Sequence, residues 1–377
     1  MSDVAPARHE AVVPDTGRRV AWFLLGILVV LVLGWVTHYL NDSVPDWAED
    51  TWADDIASAV EYPVYAIILG LLGNALLSAT GLRERLAAGF RTEFFIKTGL
   101  VLLGASIDLQ LIVDAAGRSV LQAVLLISIV FGFTWWLGGR LGLDERLRAL
   151  LASAVSICGV SAAIAAAGAV QARKEQLAYA ASLVIAFALP SIFLLPWLAD
   201  VLGLEDAVAG AWIGGNIDTT AAVTAAGTLA GEGPLEIATI VKVTQNALIG
   251  IVAVALAAWF AYRVDRTPDA PRPGIGELWR RFPKFVLGFI AASVIATVYL
   301  GQVGAADGKA HIAIVNDLRI WFLILAFVSI GLEFRVRALR EAGWKPVAVF
   351  GAATAVNIVV ALALASILFS GFVIPAG

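Results

Sequence analysis

Two short segments concentrate the groups that suit a small charged ligand. SICGVSAAIAAAGAV (156–170) supplies Ser156, Cys158, Gly159 and Ser161. GNIDTTAAVTAAGTL (215–229) supplies Gly215, Asn216, Asp218, Thr219 and Thr220. Sliding one along the other by 59 positions lays Ser161 on Thr220, Ala162 and Ala163 on Ala221 and Ala222, and Gly168 on Gly227. Glycines let backbone approach a ligand closely, and hydroxyls and amides add neutral donors. If a short helix begins at each segment within a membrane, its free N–H groups and positive dipole end favour an anion. The competing reading of each Ser or Thr is a helix cap or a small residue at a packing interface.

Asp218 and three residues outside these segments complete the candidate set. Asp218 is an acid in apolar surroundings, where a charge is costly and functional by default. It suits binding of Na⁺, carriage of a proton, pairing with Lys242, or simple capping of the helix that starts at Thr219. Lys242, in IVKVTQNALIG (240–250), offers positive charge to an anion, with Gln245 and Asn246 as neutral donors on nearby turns. Its alternative is a lysine snorkelling from near a helix end. Lys97 fits snorkelling better, and Asn74, Gln122 and Asn357 fit hydrogen bonds between helices. Three scattered histidines and the single Cys158 argue against a metal site and a disulfide framework. No P-loop, dinucleotide fingerprint or nucleophile–base spacing is visible, so neither a cofactor nor an enzymatic reaction is expected.

The elements that must position these residues are membrane spans. Of the 377 residues 60% are hydrophobic and 15% charged, with mean hydropathy +0.86, against about 25% charged in soluble domains. The net charge of −4 and the lack of a basic stripe exclude a nucleic-acid partner. The expected class is an all-α polytopic membrane protein of the cell membrane, its partner the lipid bilayer. Apolar runs cover approximately 18–40, 60–79, 94–113, 118–141, 146–170, 176–202, 206–230, 235–262, 283–301, 317–334 and 345–371. The first is too long for a signal-peptide core. The acidic stretch 46–58 suits an outer interfacial helix.

Loop charges then constrain the topology. Arg8, Arg18 and Arg19 place the N-terminus inside, and the acidic stretch 41–61 outside. If every run crosses, Arg173 and Lys174 fall outside and the acidic loop holding Asp200, Glu205 and Asp206 falls inside, both against the rule. The conflict vanishes if 146–170 and 206–230 are re-entrant hairpins entering from opposite faces. Nine full spans remain, with the C-terminus outside. Broken helices that cross keep the same tips but leave two loops of the wrong sign. A second similarity, 100–117 with 327–343, supports an inverted repeat, with chance likeness of Ala/Gly-rich helices as the alternative. The expected organisation is a polar cytoplasmic tail 1–17, a first helix and outer segment 18–59, repeat one 60–202 and repeat two 203–377.

Five motifs carry a resemblance over about residues 60–370: ILGLLGNAL (67–75), FIKTGLVLLGASIDL (95–109), SICGVSAAIAA (156–166), GAWIGGNIDTTAAVTAAG (210–227) and IVKVTQNALIG (240–250). In this order they resemble the YeiH-type sulfate exporter family, grouped with cation/proton antiporters and anion transporters. The resemblance implies secondary transport of a small anion such as sulfate, sulfite or a sulfonate, coupled to H⁺ or Na⁺, by alternating access. It also implies a scaffold with a homodimer interface. Two departures stand out. Asp218 occupies the position of a family histidine, and Thr219 that of its acid. Gln245 stands where the family has arginine. Both losses remove positive charge. The alternative function is a cation/proton antiporter with Asp218 as ion carrier. A membrane enzyme or receptor would need a catalytic constellation or sensor domain that the chain does not show.

Overall fold

The structure, a computed structural model, describes residues 16–48, 62–264, 279, 282–303, 305–334 and 343–374. The expected interfacial helix within 46–58 lies mostly outside them, as do Arg266, Arg272, Arg335 and their neighbours. The described residues are helical and contain no strand. Long runs of Leu, Val, Ala and Ile close most backbone hydrogen bonds within the segment, which is what hydrocarbon demands.

The helices in chain order are α1 (Thr16–Ala48), α2 (Tyr62–Ala79), α3 (Arg83–Leu86), α4 (Thr92–Gly104), α5 (Leu109–Arg140), α6 (Glu145–Ser153), α7 (Val160–Val170), α8 (Lys174–Val201), α9 (Asp206–Asn216), α10 (Thr220–Ala230), α11 (Glu232–Ala247), α12 (Ile249–Trp259), α13 (Phe285–Val303), α14 (Ala305–Glu333) and α15 (Trp344–Phe369). Eight helices among the described residues are long and apolar enough to cross a membrane, with α11 and α12 forming one span, Glu232–Val264. The expected span 94–113 is shorter than the other eight: it is the 13-residue α4, which still carries the chain from Arg91 at one end to Asp108 at the other, and residues 109–113 belong to the 32-residue α5. Asp108 sets the boundary, its carboxylate accepting the Gln110 N–H at 2.7 Å as an N-cap.

Both doubled segments are hairpins. α9 runs parallel to α11: Gly210 abuts Pro234, and Gly214 abuts Ala238. α10 runs antiparallel to the same helix: Gly227 abuts Leu235, while Thr220 lies beside Asn246. The chain therefore turns back between α9 and α10. In the first hairpin the residue capping α6, Asp144, accepts a 2.7 Å hydrogen bond from Gln176 in the first turn of α8. The chain re-emerges beside the point where it entered. α7 then follows α12, with Ala162 and Ala165 near Ile249 and Ala253. The bases of the hairpins thus sit at opposite ends of the Glu232–Val264 span, and the tips meet near its middle. Crossing broken helices would separate Asp144 from Gln176 by the membrane thickness.

The helices form two groups. α1, α2, α4, α13 and α14 pack together through glycines, as where Gly70 meets Gly331 and Gly99 meets Leu323. α4 and α14 are antiparallel, Gly99 pairing with Leu323 and Ser106 with Asn316. The second group, α5 with α15, both hairpins, α8 and α11–α12, carries the tips. Large apolar side chains such as Leu24, Trp35, Leu72, Leu76 and Trp197 face outward, as lipid contact requires. One end of the molecule gathers Arg83, Arg85, Arg91, Arg140, Arg146, Arg148, Arg173 and Lys174. The other gathers Asp108, Asp200, Glu205, Asp206 and Glu232.

Candidate functional site

Each tip is built by a local backbone device. In the first, residues Ala154–Cys158 form a wide helical turn, and Gly159 reverses the chain at φ +64°, ψ −121°. A Cβ there would meet Val184 Cγ1 at 2.6 Å and Thr219 Cγ2 at 3.1 Å, so glycine is required by conformation and by space. In the second, Ile217 is extended and Thr219 caps α10, its hydroxyl accepting the Ala222 N–H at 3.1 Å. α7 and α10 thus both begin at mid-depth, facing one another, with first-turn N–H groups that have no preceding helical turn to bond.

These two N-termini open on a cavity of about 590 Å³. Its inner wall holds Cys158, Val160 and Ser161 from the first tip, Thr219, Thr220, Ala221 and Ala222 from the second, and Asn246 from α11. Ile185, Ala188 and Ile192 of α8 complete an apolar side. The mouth holds Thr92, Glu93, Lys97, Pro283 and Glu333, on the end of the molecule that gathers the arginines. Lys97 and Glu93 pair there at 2.7 Å, both partly exposed. Lys97 is therefore placed at the cavity mouth. Its spacing near a span end carried no signal of this, because the partners at the mouth come from α14 and from the segment before α13.

The predicted residues divide into two sets. Cys158, Ser161, Thr219, Thr220 and Asn246 line the cavity. Ser156, Gly159, Gly215, Asn216, Asp218 and Lys242 lie behind that wall. The Ser156 hydroxyl donates to Ala152 O of its own helix at 2.7 Å. Gly215 leaves room for Gln122, whose Nε2 would stand 2.5 Å from a Cβ. Lys242, 1% exposed, donates to Ile157 O at 2.8 Å and to Gln245 Oε1 at 2.6 Å. Gln245 donates to Gly215 O at 3.2 Å. Asn357, read from sequence only as a helix–helix hydrogen-bonding residue, donates to Val155 O at 3.2 Å and to Asn216 O at 2.9 Å. It binds both tips at once, which a lone Asn in an apolar run does not reveal.

Several polar groups here are left open, Gln122 Oε1 and Asn357 Oδ1 among them. Asp218 is 5% exposed, and among the described residues its carboxylate has no hydrogen bond and no ion pair within 4 Å. The Asn216 side-chain amide has neither its oxygen nor its nitrogen bonded, and Asn246 Oδ1 is likewise unpartnered while its Nδ2 donates to Thr220 Oγ1 at 3.1 Å. Buried polar atoms of this kind normally have partners.

Comparison with known proteins agrees that the chain is a membrane protein. A family model described as "Conserved hypothetical protein 698" matches residues 24–350. The chain belongs to this family, the UPF0324 membrane proteins. A UPF0324 membrane protein of Rhodopirellula baltica is 37% identical over 360 residues, covering 94% of this chain and 64% of that protein. One from Nitratidesulfovibrio vulgaris is 36% identical over 315 residues, covering 81% of this chain and 54% of that protein. A second from the same organism, 29% identical over 355 residues, covers 88% and 92%. The chain thus spans less than two thirds of the length of the first two UPF0324 relatives. No solved structure matches.

Proposed function

We propose that this UPF0324 protein is a secondary transporter of a small anion, working by alternating access and coupled to H⁺ or Na⁺. The observation that carries this reading is the convergence of two helix N-termini, entering from opposite ends, on one cavity at mid-depth. Helix N-termini aimed at a buried site are an anion-binding device, and paired discontinuous segments are how transporters build one at the membrane midplane. Ser161, Thr219, Thr220 and Asn246 add neutral donors. Lys242 faces the tip carbonyls and not the cavity, so the inner wall holds no full positive charge, and Lys97 at the mouth is paired with Glu93. That arrangement favours a singly charged anion, such as bisulfite or a sulfonate, over doubly charged sulfate.

The basic end is assigned to the cytoplasm by the positive-inside rule. The N-terminus is then cytoplasmic, the C-terminus outside, and the cavity open inward. Residues 60–202 and 203–377 serve as two inverted repeats. Asp218, buried without a counter-ion in contact, supports the coupling role and equally a second reading, in which it is the carrier of a cation/proton antiporter.

Two measurements test this. Sulfite, sulfate, methanesulfonate, bicarbonate and dicarboxylates are each titrated against the purified protein while its unfolding temperature is followed, with uptake into proteoliposomes measured in parallel. Stabilisation by a monovalent oxyanion, lost in Thr219→Ala with Thr220→Ala, is expected. The absence of anion binding under all conditions, with Na⁺/H⁺ exchange retained and lost in Asp218→Asn, would replace the anion reading by the antiporter.

A further inference from the structure

Two hairpins bring four helix ends to the centre of the membrane. The two N-termini face the cavity. The two C-terminal ends, at Val155–Ile157 and at Gly215–Asn216, face away from it and carry orphan carbonyls with the negative end of each helix dipole. In hydrocarbon such groups cost several kcal/mol each if left unbonded. Every one of these carbonyls with a recorded partner is met by one of three side chains: Lys242 on Ile157 O, Gln245 on Gly215 O and, at 3.5 Å, Ser156 O, and Asn357 on Val155 O and Asn216 O.

The three side chains do more than cap. Gln245 and Asn357 each reach both tips, and Lys242 is tied to Gln245 at 2.6 Å. All are 2% exposed or less. We infer that Lys242, Gln245 and Asn357 are positioning residues that lock the two hairpin tips into one body, so that the tips cannot open independently. The Lys242 ammonium neutralises the C-terminal carbonyls of the first tip and is not the counter-charge of a ligand. A buried ammonium in this role is stabilised because two of its three donors are taken up, one by a carbonyl at a negative dipole end and one by an amide oxygen. The division also explains the site's polarity. With the C-terminal ends satisfied from behind, the N-terminal ends alone set the potential in the cavity.

The inference concerns the arrangement of the tips and does not require that the ligand be an anion, so its test uses none. Spin labels are placed at Gln171 at the outer end of α7 and Leu229 at the outer end of α10, one on each hairpin and both outside the site, and their distance distribution is measured in ligand-free protein by pulsed electron resonance. Lys242→Met is expected to broaden that distribution about twofold, because the Ile157 carbonyl and the Gln245 amide lose their connection. Lys242→Arg should restore a narrow distribution. Asn357→Ala should broaden it as Lys242→Met does and serves as the second variant if Lys242→Met does not fold. Asn74→Ala, which removes a buried amide from the other helix group, should leave it unchanged. A narrow distribution in folded Lys242→Met or Asn357→Ala would overturn the clamp. Weakened anion binding with unchanged distances would return Lys242 to the role of counter-charge.

Discussion

Gly159 and Thr219 face each other across the tips, and each makes a quantitative demand. Gly159 combines positive φ with a ψ that only glycine adopts readily, and a Cβ would overlap Val184. Gly159→Ala is expected to lower stability by about 2–3 kcal/mol, from strain plus overpacking, seen as a fall in the denaturation midpoint. An unchanged midpoint would mean that the tip backbone is not the one described. Thr219 caps α10 through a single hydroxyl. Thr219→Ala should cost about 1 kcal/mol and Thr219→Ser should recover most of it, because serine caps as well as threonine. If the hydroxyl also contacts ligand, as proposed, anion affinity falls in Thr219→Ala by more than the stability loss accounts for. Equal affinity in the two variants would confine Thr219 to capping.

At the level of elements, the re-entrant hairpins give a directional prediction. Single cysteines at Glu145 and Lys174 should be labelled by an impermeant maleimide from the same side of the membrane, and one at Glu205 from the opposite side. Labelling of Glu145 and Lys174 from different sides would mean that the first hairpin crosses. Much of this was legible in the chain. The doubled small-residue segments marked the tips, and Arg173-Lys174 against Asp200, Glu205 and Asp206 favoured hairpins over crossing broken helices, because basic loops are sorted by side whatever the tertiary packing. The division of the polar residues between the cavity face and the face behind it was not legible. Ser161 and Ser156 lie five positions apart in one apolar run, yet a single glycine reversal between them sends one to the cavity and the other to its own helix. Lys242 reads from the sequence as ligand-facing or snorkelling and not as a cap, because which carbonyls need it depends on the two hairpins turning at its level. Asp108 was also missed. Averaging hydropathy over a window conceals one capping acid, and so the end of α4 was placed nine residues late.

For the whole molecule, the decisive contact is on the closed side. Arg319 of α14 belongs to the group of helices outside the tips, and Glu232 begins α11, which carries them. They form a two-pronged pair, Nη2 to Oε1 at 3.0 Å and Nη1 to Oε2 at 3.3 Å, at the end opposite the cavity mouth. Arg319 is buried and Glu232 largely exposed. The pair joins the two helix groups where they must part for the cavity to open at the acidic end. It stabilises the present state and contributes nothing to a state in which the groups have separated there. Removing it therefore shifts the population toward opening at the acidic end by no more than its worth here. With one partner solvated, that worth is about 1 kcal/mol, or about fivefold in population. The reporter is a cysteine at Ser161 on the cavity wall. With Cys158 replaced by Ala and nothing else altered, impermeant reagent should reach it from the basic end. Glu232→Gln should raise its labelling rate from the acidic end about fivefold, and Arg319→Ala should do so at least as much. Asp42→Asn, which breaks a pair with His38 inside α1 alone, should leave both rates unchanged. Labelling from the acidic end that does not respond to either latch variant would mean that the two helix groups do not separate along α11 and α14. The axis of opening would then have to be sought along α10 and α13, the other places where the groups touch.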